Sequence, residues 1–165
     1  MNAFVIDAFE FCRLKERRSG EVAISDLPRL AEETVNKSGL IRWSLEGGAD
    51  TLGHSMLLLS VSGSVQLVCQ RCLLPLELAL SSTANLILAK DEASADEIDA
   101  TLGEDDRFDV IVGTKALNTV DLIEDEALLE IPFSPKHEVC PDHTELDELK
   151  RTKKVSPFDV LKKLK

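Results

Sequence analysis

The sequence contains no tyrosine, one tryptophan and six phenylalanines in 165 residues. Unstacked nucleic-acid bases are read by stacking on aromatic rings, so an aromatic base-stacking platform is excluded. No uninterrupted apolar run approaches the roughly 18 residues of a membrane-crossing helix. The eight glycines are scattered, and Gly47, Gly48 and Gly53 lack the Lys-Ser/Thr ending of a phosphate-cradling loop. The first residues, Met1 to Asp7, have neither a basic start nor a long apolar stretch, so no secretory signal is expected and the location expected is cytoplasmic. Four cysteines in such a setting make a poor disulfide framework and a better set of metal ligands or buried thiols.

What is abundant is acid. Thirty Asp and Glu against nineteen Lys and Arg give a net charge of -11. The charge is divided unevenly. Residues 150–165 carry seven basic residues (Lys150, Arg151, Lys153, Lys154, Lys162, Lys163 and Lys165) and one acid, Asp159, for a net +6. Residues 1–149 then carry -17, and residues 91–130 are the most acidic part. Phosphate contacts need Lys and Arg. Any nucleic-acid contact is therefore expected from the tail, from the smaller cluster Arg13, Lys15, Arg17 and Arg18, or through a protein partner.

Hydrophobic periodicity predicts an α+β fold: an antiparallel β-sheet core with helices from the N- and C-terminal parts packed on it. Residues 7–18 read as a short helix, and Ser25-Asp26 before Leu27-Pro28 reads as the capped start of another, running to about residue 36. Residues 40–46, 54–68 and 74–88 alternate with period two, with Gly47-Gly48 read as a turn and Ser62-Gly63-Ser64 as a break between two strands. Residues 91–106 read as an acidic mobile loop, and residues 108–112 as a short strand. Asn118-Thr119 opens a helix that Pro132 ends, and residues 133–155 read as loop. The expected organisation is one domain over residues 1–149 and a basic tail over 150–165. The tail's Ser156-Pro157-Phe158-Asp159 resembles a capping box, followed by a short amphipathic helix with Phe158, Leu161 and Leu164 on one face.

The sharpest local feature is Cys69-Gln70-Arg71-Cys72 at a strand end. Two cysteines separated by two residues can aim both sulfurs at one tetrahedral metal from a tight turn, which is half a zinc site. Cys140-Pro141-Asp142-His143 has the same spacing, so Cys69, Cys72, Cys140 and His143 are the expected ligands of one structural zinc ion, with His137 in reserve. The alternatives are buried, reduced thiols or a redox pair, the latter weakened because no helix start follows Cys72. Cys12 reads as core. His54 reads as a surface or edge residue, and the acids of residues 120–130 as a solvated helix face.

The stretch LVCQRCLLPLELAL at residues 67–80 resembles the strand–CxRC–Leu–x–Pro–strand signature of the YceD (YlbN-like) family of bacteria and plastids. DLPRL at residues 26–30, VDLIEDEALLEIPFSPKH at 120–137 and the terminal SPFDVLKKLK agree in order. Many relatives carry a second Cys pair ending CPxCG, where this chain has Cys-Pro-Asp-His and Thr144. The resemblance implies an α+β protein needed for accumulation of large-subunit ribosomal RNA, acting in its synthesis, processing or stability. The expected agent is non-enzymatic, with no small-molecule substrate and no membrane contact. Its partner would be a pre-ribosomal large-subunit particle or a protein acting on ribosomal RNA. The tail residues Lys150, Arg151, Lys153, Lys154, Phe158, Leu161, Lys162, Lys163 and Lys165 would contact RNA or the partner. The alternative is a metal-dependent RNA-processing nuclease using acids of the 120–130 helix. A third reading makes the tail a docking helix that fills an apolar groove with Phe158, Leu161 and Leu164.

Overall fold

A computed structural model of the chain describes residues 4–141. Its main sheet holds β2 (Arg17–Ala23), β3 (Leu40–Ala49), β4 (Ser55–Val68), β5 (Pro75–Ala89) and β6 (Asp109–Val112), in that order across the sheet. A two-residue ribbon pairs β1 (Val5–Ile6) with β7 (Leu117–Asn118). Among the described residues there are four α-helices: α1 (Ala8–Arg13), α2 (Pro28–Glu33), α3 (Glu92–Leu102) and α4 (Thr119–Leu129).

The period-two pattern sorts the sheet into a dry and a wet face. Ile41, Trp43 and Leu45 of β3 and Leu57, Leu59, Val61, Val65 and Leu67 of β4 are buried, together with Leu80, Ala84 and Leu86 of β5. Ile6, Phe11, Leu27, Leu30, Ile123 and Ala127 close the same core from outside the sheet. The other face is hydroxyl-rich: Ser60 lies across from Thr83, and Ser64 donates to Glu77 at 2.6 Å. At the outer edge, Arg17 pairs with Glu46 and Arg42 with Glu21, all substantially exposed, so these pairs keep the edge soluble more than they stabilise it.

Several expectations are corrected. The sheet is antiparallel except for its last pair, because β6 joins β5 in parallel. A parallel pair needs a crossover, and residues 91–106 supply it as α3 and a following turn instead of an acidic loop. Asp91 caps that helix by accepting from Ser94 N at 2.7 Å, and Gly103 ends it at φ +63°. The helix predicted over residues 7–18 stops at Arg13. Lys15 turns left-handed at φ +51°, Glu16 N donates to Phe11 O and Lys15 N to Cys12 O, a paired closure that sends Arg17 and Arg18 into β2.

Neither glycine-containing segment interrupts its strand. β3 runs through Gly47-Gly48, and β4 runs unbroken through Ser62-Gly63-Ser64. Gly47 is there for clearance: a Cβ would lie 2.5 Å from Phe11 O, so α1 rests directly on the strand backbone. Cys12 is buried at that contact and donates to Met56 O, as a core residue should.

α2 is shorter than predicted and takes no cap from Ser25 or Asp26. Its first N–H groups are satisfied from another helix. Glu124 of α4 is 2% exposed, and its Oε1 accepts from Arg29 N at 2.6 Å and Leu30 N at 3.0 Å. Its Oε2 accepts from Arg29 Nε at 2.9 Å, while Arg29 also reaches Asp125 at 2.6 Å. Glu124 is therefore not part of a solvated face, as the helix pattern alone suggested. It is the fastener between α2 and α4.

Glu124→Ala should lower stability by about 3 kcal/mol, since two backbone donors lose their partner in a buried site. The half-exposed Arg29 adds little to that figure because water screens it. Glu130→Ala, on the exposed end of α4, should stay within about 0.5 kcal/mol in the same denaturant titration. Equal effects would contradict the fastener.

Candidate metal centre

The long hairpin of β4 and β5 turns through residues 69–74. Cys69 N donates to Leu74 O and Leu73 N to Cys69 O, both at 2.9 Å, and Leu73 takes the left-handed conformation at φ +60°. This closure folds the turn back over its first residue. Arg71 N then points at Cys69 Sγ, 3.4 Å away.

A second limb comes from beyond α4. Pro132 prevents that helix from continuing, and the chain passes across the hairpin tip in residues 133–141. Two backbone donors stitch limb to turn. Gln70 N donates to Pro135 O at 2.8 Å, and His137 N donates to Cys69 Sγ at 3.4 Å.

The four side chains Cys69, Cys72, His137 and Cys140 converge, with one ligand atom of each lying within 4.8 Å of every other. Cys69 Sγ is 3.9 Å from Cys140 Sγ, and Cys72 Sγ is 3.4 Å from His137 Nδ1. Zinc bonds of about 2.3 Å to sulfur and 2.0–2.1 Å to nitrogen give tetrahedral edges of about 3.8 Å between sulfurs and 3.5 Å between sulfur and nitrogen. The spacing fits. Cys69 and Cys140 are buried, Cys72 and His137 half-buried.

Electrostatics favour one charged sulfur at the centre. Burial works against the Cys69 thiolate, but the N–H groups of Cys72, His137 and Arg71 and the Cys72 thiol outweigh it and hold Cys69 down to about 5. Burial, followed by the neighbouring Cys72 and Cys69 sulfurs, pushes Cys140 up to about 11. Four sulfur and nitrogen donors this close, with one thiolate favoured and its neighbour penalised, form a site in which a divalent cation would relieve the repulsion. The cluster can hold a metal ion, and its donor set is that of a closed structural zinc site.

Three of the four ligands expected from the sequence, Cys69, Cys72 and Cys140, are brought together. The fourth position among the described residues is His137, and His143 lies outside them, as do the tail residues 150–165. His137-x-x-Cys140 carries the two-residue spacing of Cys69-x-x-Cys72, so the signal for it was present in the chain.

The acids of α4 do not gather into a second site: Glu124 caps α2, Asp125 pairs with Arg29, and the Ser82 hydroxyl bonds Glu126. His54 is held in the β3–β4 turn, its Nδ1 2.9 Å from Asp50. No described helix is long and apolar enough to cross a membrane.

A family model described as "Large ribosomal RNA subunit accumulation protein YceD" matches residues 57–165, from early β4 through all four converging ligands to the tail. No curated protein and no solved structure gives a match to the chain.

Left-handed backbone costs a side-chain-bearing residue about 1 kcal/mol, and Leu73 is largely exposed. Leu73→Gly should therefore raise the thermal midpoint, and Leu73→Val should lower it. The reverse order in calorimetry would contradict the turn geometry.

Proposed function

The chain belongs to the YceD family of large ribosomal RNA subunit accumulation proteins, and within that role we propose a non-enzymatic factor that docks through its folded body and touches RNA through its tail. The partner is a pre-ribosomal large-subunit particle or a protein acting on ribosomal RNA. The observation that carries this reading is the division of charge, -17 over residues 1–149 against +6 over residues 150–165. A body of that sign repels a phosphate backbone, so it suits a protein or ribonucleoprotein surface, while Lys150, Arg151, Lys153, Lys154, Lys162, Lys163 and Lys165 suit phosphate.

Cys69, Cys72, His137 and Cys140 hold one zinc ion in this reading. With four protein donors the coordination is closed, so the ion ties the hairpin tip to the limb after α4 and leaves no position for substrate. The nuclease alternative needs several convergent carboxylates around two ions. It is disfavoured by the engagements of Glu124, Asp125 and Glu126.

Two measurements test the proposal. Native mass spectrometry should find one zinc per chain, lost in Cys69→Ser and His137→Ala but retained in His143→Ala. Retention in His137→Ala with loss in His143→Ala would reassign the fourth ligand. In cell extracts the tagged protein should sediment with pre-ribosomal particles. Replacing all seven tail basic residues by Gln should weaken any RNA affinity and flatten its salt dependence, whose log–log slope should not exceed about six contacts at 0.7–0.9 each. An unchanged slope would remove the tail from the account. RNA cleavage with magnesium that is lost in Glu124→Gln would replace the factor by an enzyme.

A further inference from the structure

β2 is the outermost strand of the main sheet, paired to β3 on one side and, among the described residues, to no strand on the other. Its register runs without a bulge from Arg17 opposite Glu46 to Ala23 opposite Leu40, it contains no proline, and Arg17 to Glu21 are all exposed. Sheet edges are commonly blunted by bulges, proline or shortness. β6, at the opposite edge, is only four residues long, whereas β2 has seven and none of these devices. The ion pairs Arg17–Glu46 and Glu21–Arg42 stand on the wet face and leave the groups in the plane of the sheet open.

Which groups are open follows from the ladder. Gly47 N donates to Glu16 O just before β2, and Ile24 N donates to Gly39 O just after it. Opposed residues of antiparallel strands alternate between bonded and non-bonded pairs. Between those two bonds, Arg18, Gly20 and Val22 therefore bond to β3, while Arg17, Ser19, Glu21 and Ala23 aim their N–H and C=O groups outward. Among the described residues these outward groups meet no backbone partner. We propose that the occupant of this edge is β2 of a second copy of the chain, paired antiparallel about a twofold axis at Gly20, so that two sheets join into one.

The strand's own sequence selects this partner and this register. Centred on Gly20, Ser19 of one copy lies opposite Glu21 of the other, and Arg17 opposite Ala23. These are the outward-facing residues, so each pair exchanges two backbone hydrogen bonds. On the wet face a hydroxyl meets a carboxylate, and Arg17 lies diagonal to Glu21 of the other copy, within reach of a long side chain. At the axis the two Gly20 residues form a non-bonded pair, the closest approach in such a ladder, where neither brings a side chain. A slip of one residue would set the wet face against the dry one. A slip of two residues one way opposes Glu21 to Glu21, and the other way runs Ala23 into Lys15, beyond the strand in left-handed backbone. The interface is isologous and small, so the dimer is weak and depends on concentration. It does not rest on the proposed role in RNA accumulation.

The test is sedimentation equilibrium of the purified full-length protein. The wild type should pass from monomer toward dimer between about 1 and about 300 µM. Ser19→Pro should weaken association at least about tenfold, because it removes an outward donor on each side of the axis. That donor has no partner within the sheet, and proline is tolerated on edge strands, so the fold is kept. Gly20→Cys tests the register, since the atoms nearest a Cβ there belong to the Trp43 ring at 3.5 Å, an ordinary contact. In oxidised glutathione the two introduced thiols should join across the axis, where Cα atoms about 4.5 Å apart fall within the reach of a disulfide, and peptide mapping identifies the link. Arg17→Cys, whose two copies stand roughly 20 Å apart in this register, should not crosslink. A wild type that sediments as monomer throughout would overturn the proposal. So would a dimer that Ser19→Pro leaves intact, or one that Arg17→Cys crosslinks and Gly20→Cys does not.

Discussion

Cys69 stands where the hairpin turn meets the limb after α4. Its backbone N–H and carbonyl close the tip of the β4–β5 hairpin, and its Sγ accepts from Arg71 N within that turn and from His137 N, 68 residues away in the limb. It also faces Cys140 Sγ at 3.9 Å. A buried sulfur surrounded by donors is stable as a thiolate, and a thiolate among further thiols calls for a cation. Much else follows from that one position. The limb after α4 has no regular hydrogen-bond ladder of its own, so its path is set by what it meets at the hairpin tip.

α4 is consequently fixed at two places by different chemistry. At Glu124 a buried carboxylate clasps the free N–H groups of α2, and beyond Pro132 the sulfur and imidazole donors clasp the limb. The net charge of -17 over residues 1–149 has the sign that repels bare phosphate, which is why the proposed function gives the body a protein or ribonucleoprotein surface.

The sheet and α4 were legible because their patterns are strong: period two over long strands, and Asn118 as a cap followed by an apolar helical face. Errors arose where a residue serves a neighbour distant in sequence. Gly47 resembles a turn residue until Phe11 O is found against it, and Gly63 resembles a break until Ile41 and Leu40 crowd it from the next strand. Residues 91–106 resemble a loop because α3 buries no residue and its acids mask a capped run containing three alanines. Glu124 resembles its solvated neighbours, and nothing local distinguishes the one acid that reaches the orphan donors of another helix. In the cluster, Cys69, Cys72 and Cys140 were read from spacing. His137 and His143 are equally spaced from Cys140 in sequence, so spacing does not choose between them. The contacts from Gln70 N to Pro135 O and from His137 N to Cys69 Sγ are what bring His137 to the cluster.

The central claim is that this cluster is a closed sulfur-rich zinc site joining the hairpin to the limb. X-ray absorption at the zinc edge of the purified full-length protein tests it most directly. The account predicts a first shell of three sulfurs at about 2.3 Å and one nitrogen at about 2.0–2.1 Å, with no bound water. A shell dominated by oxygen or nitrogen, or one with a water in the fourth position, would contradict it.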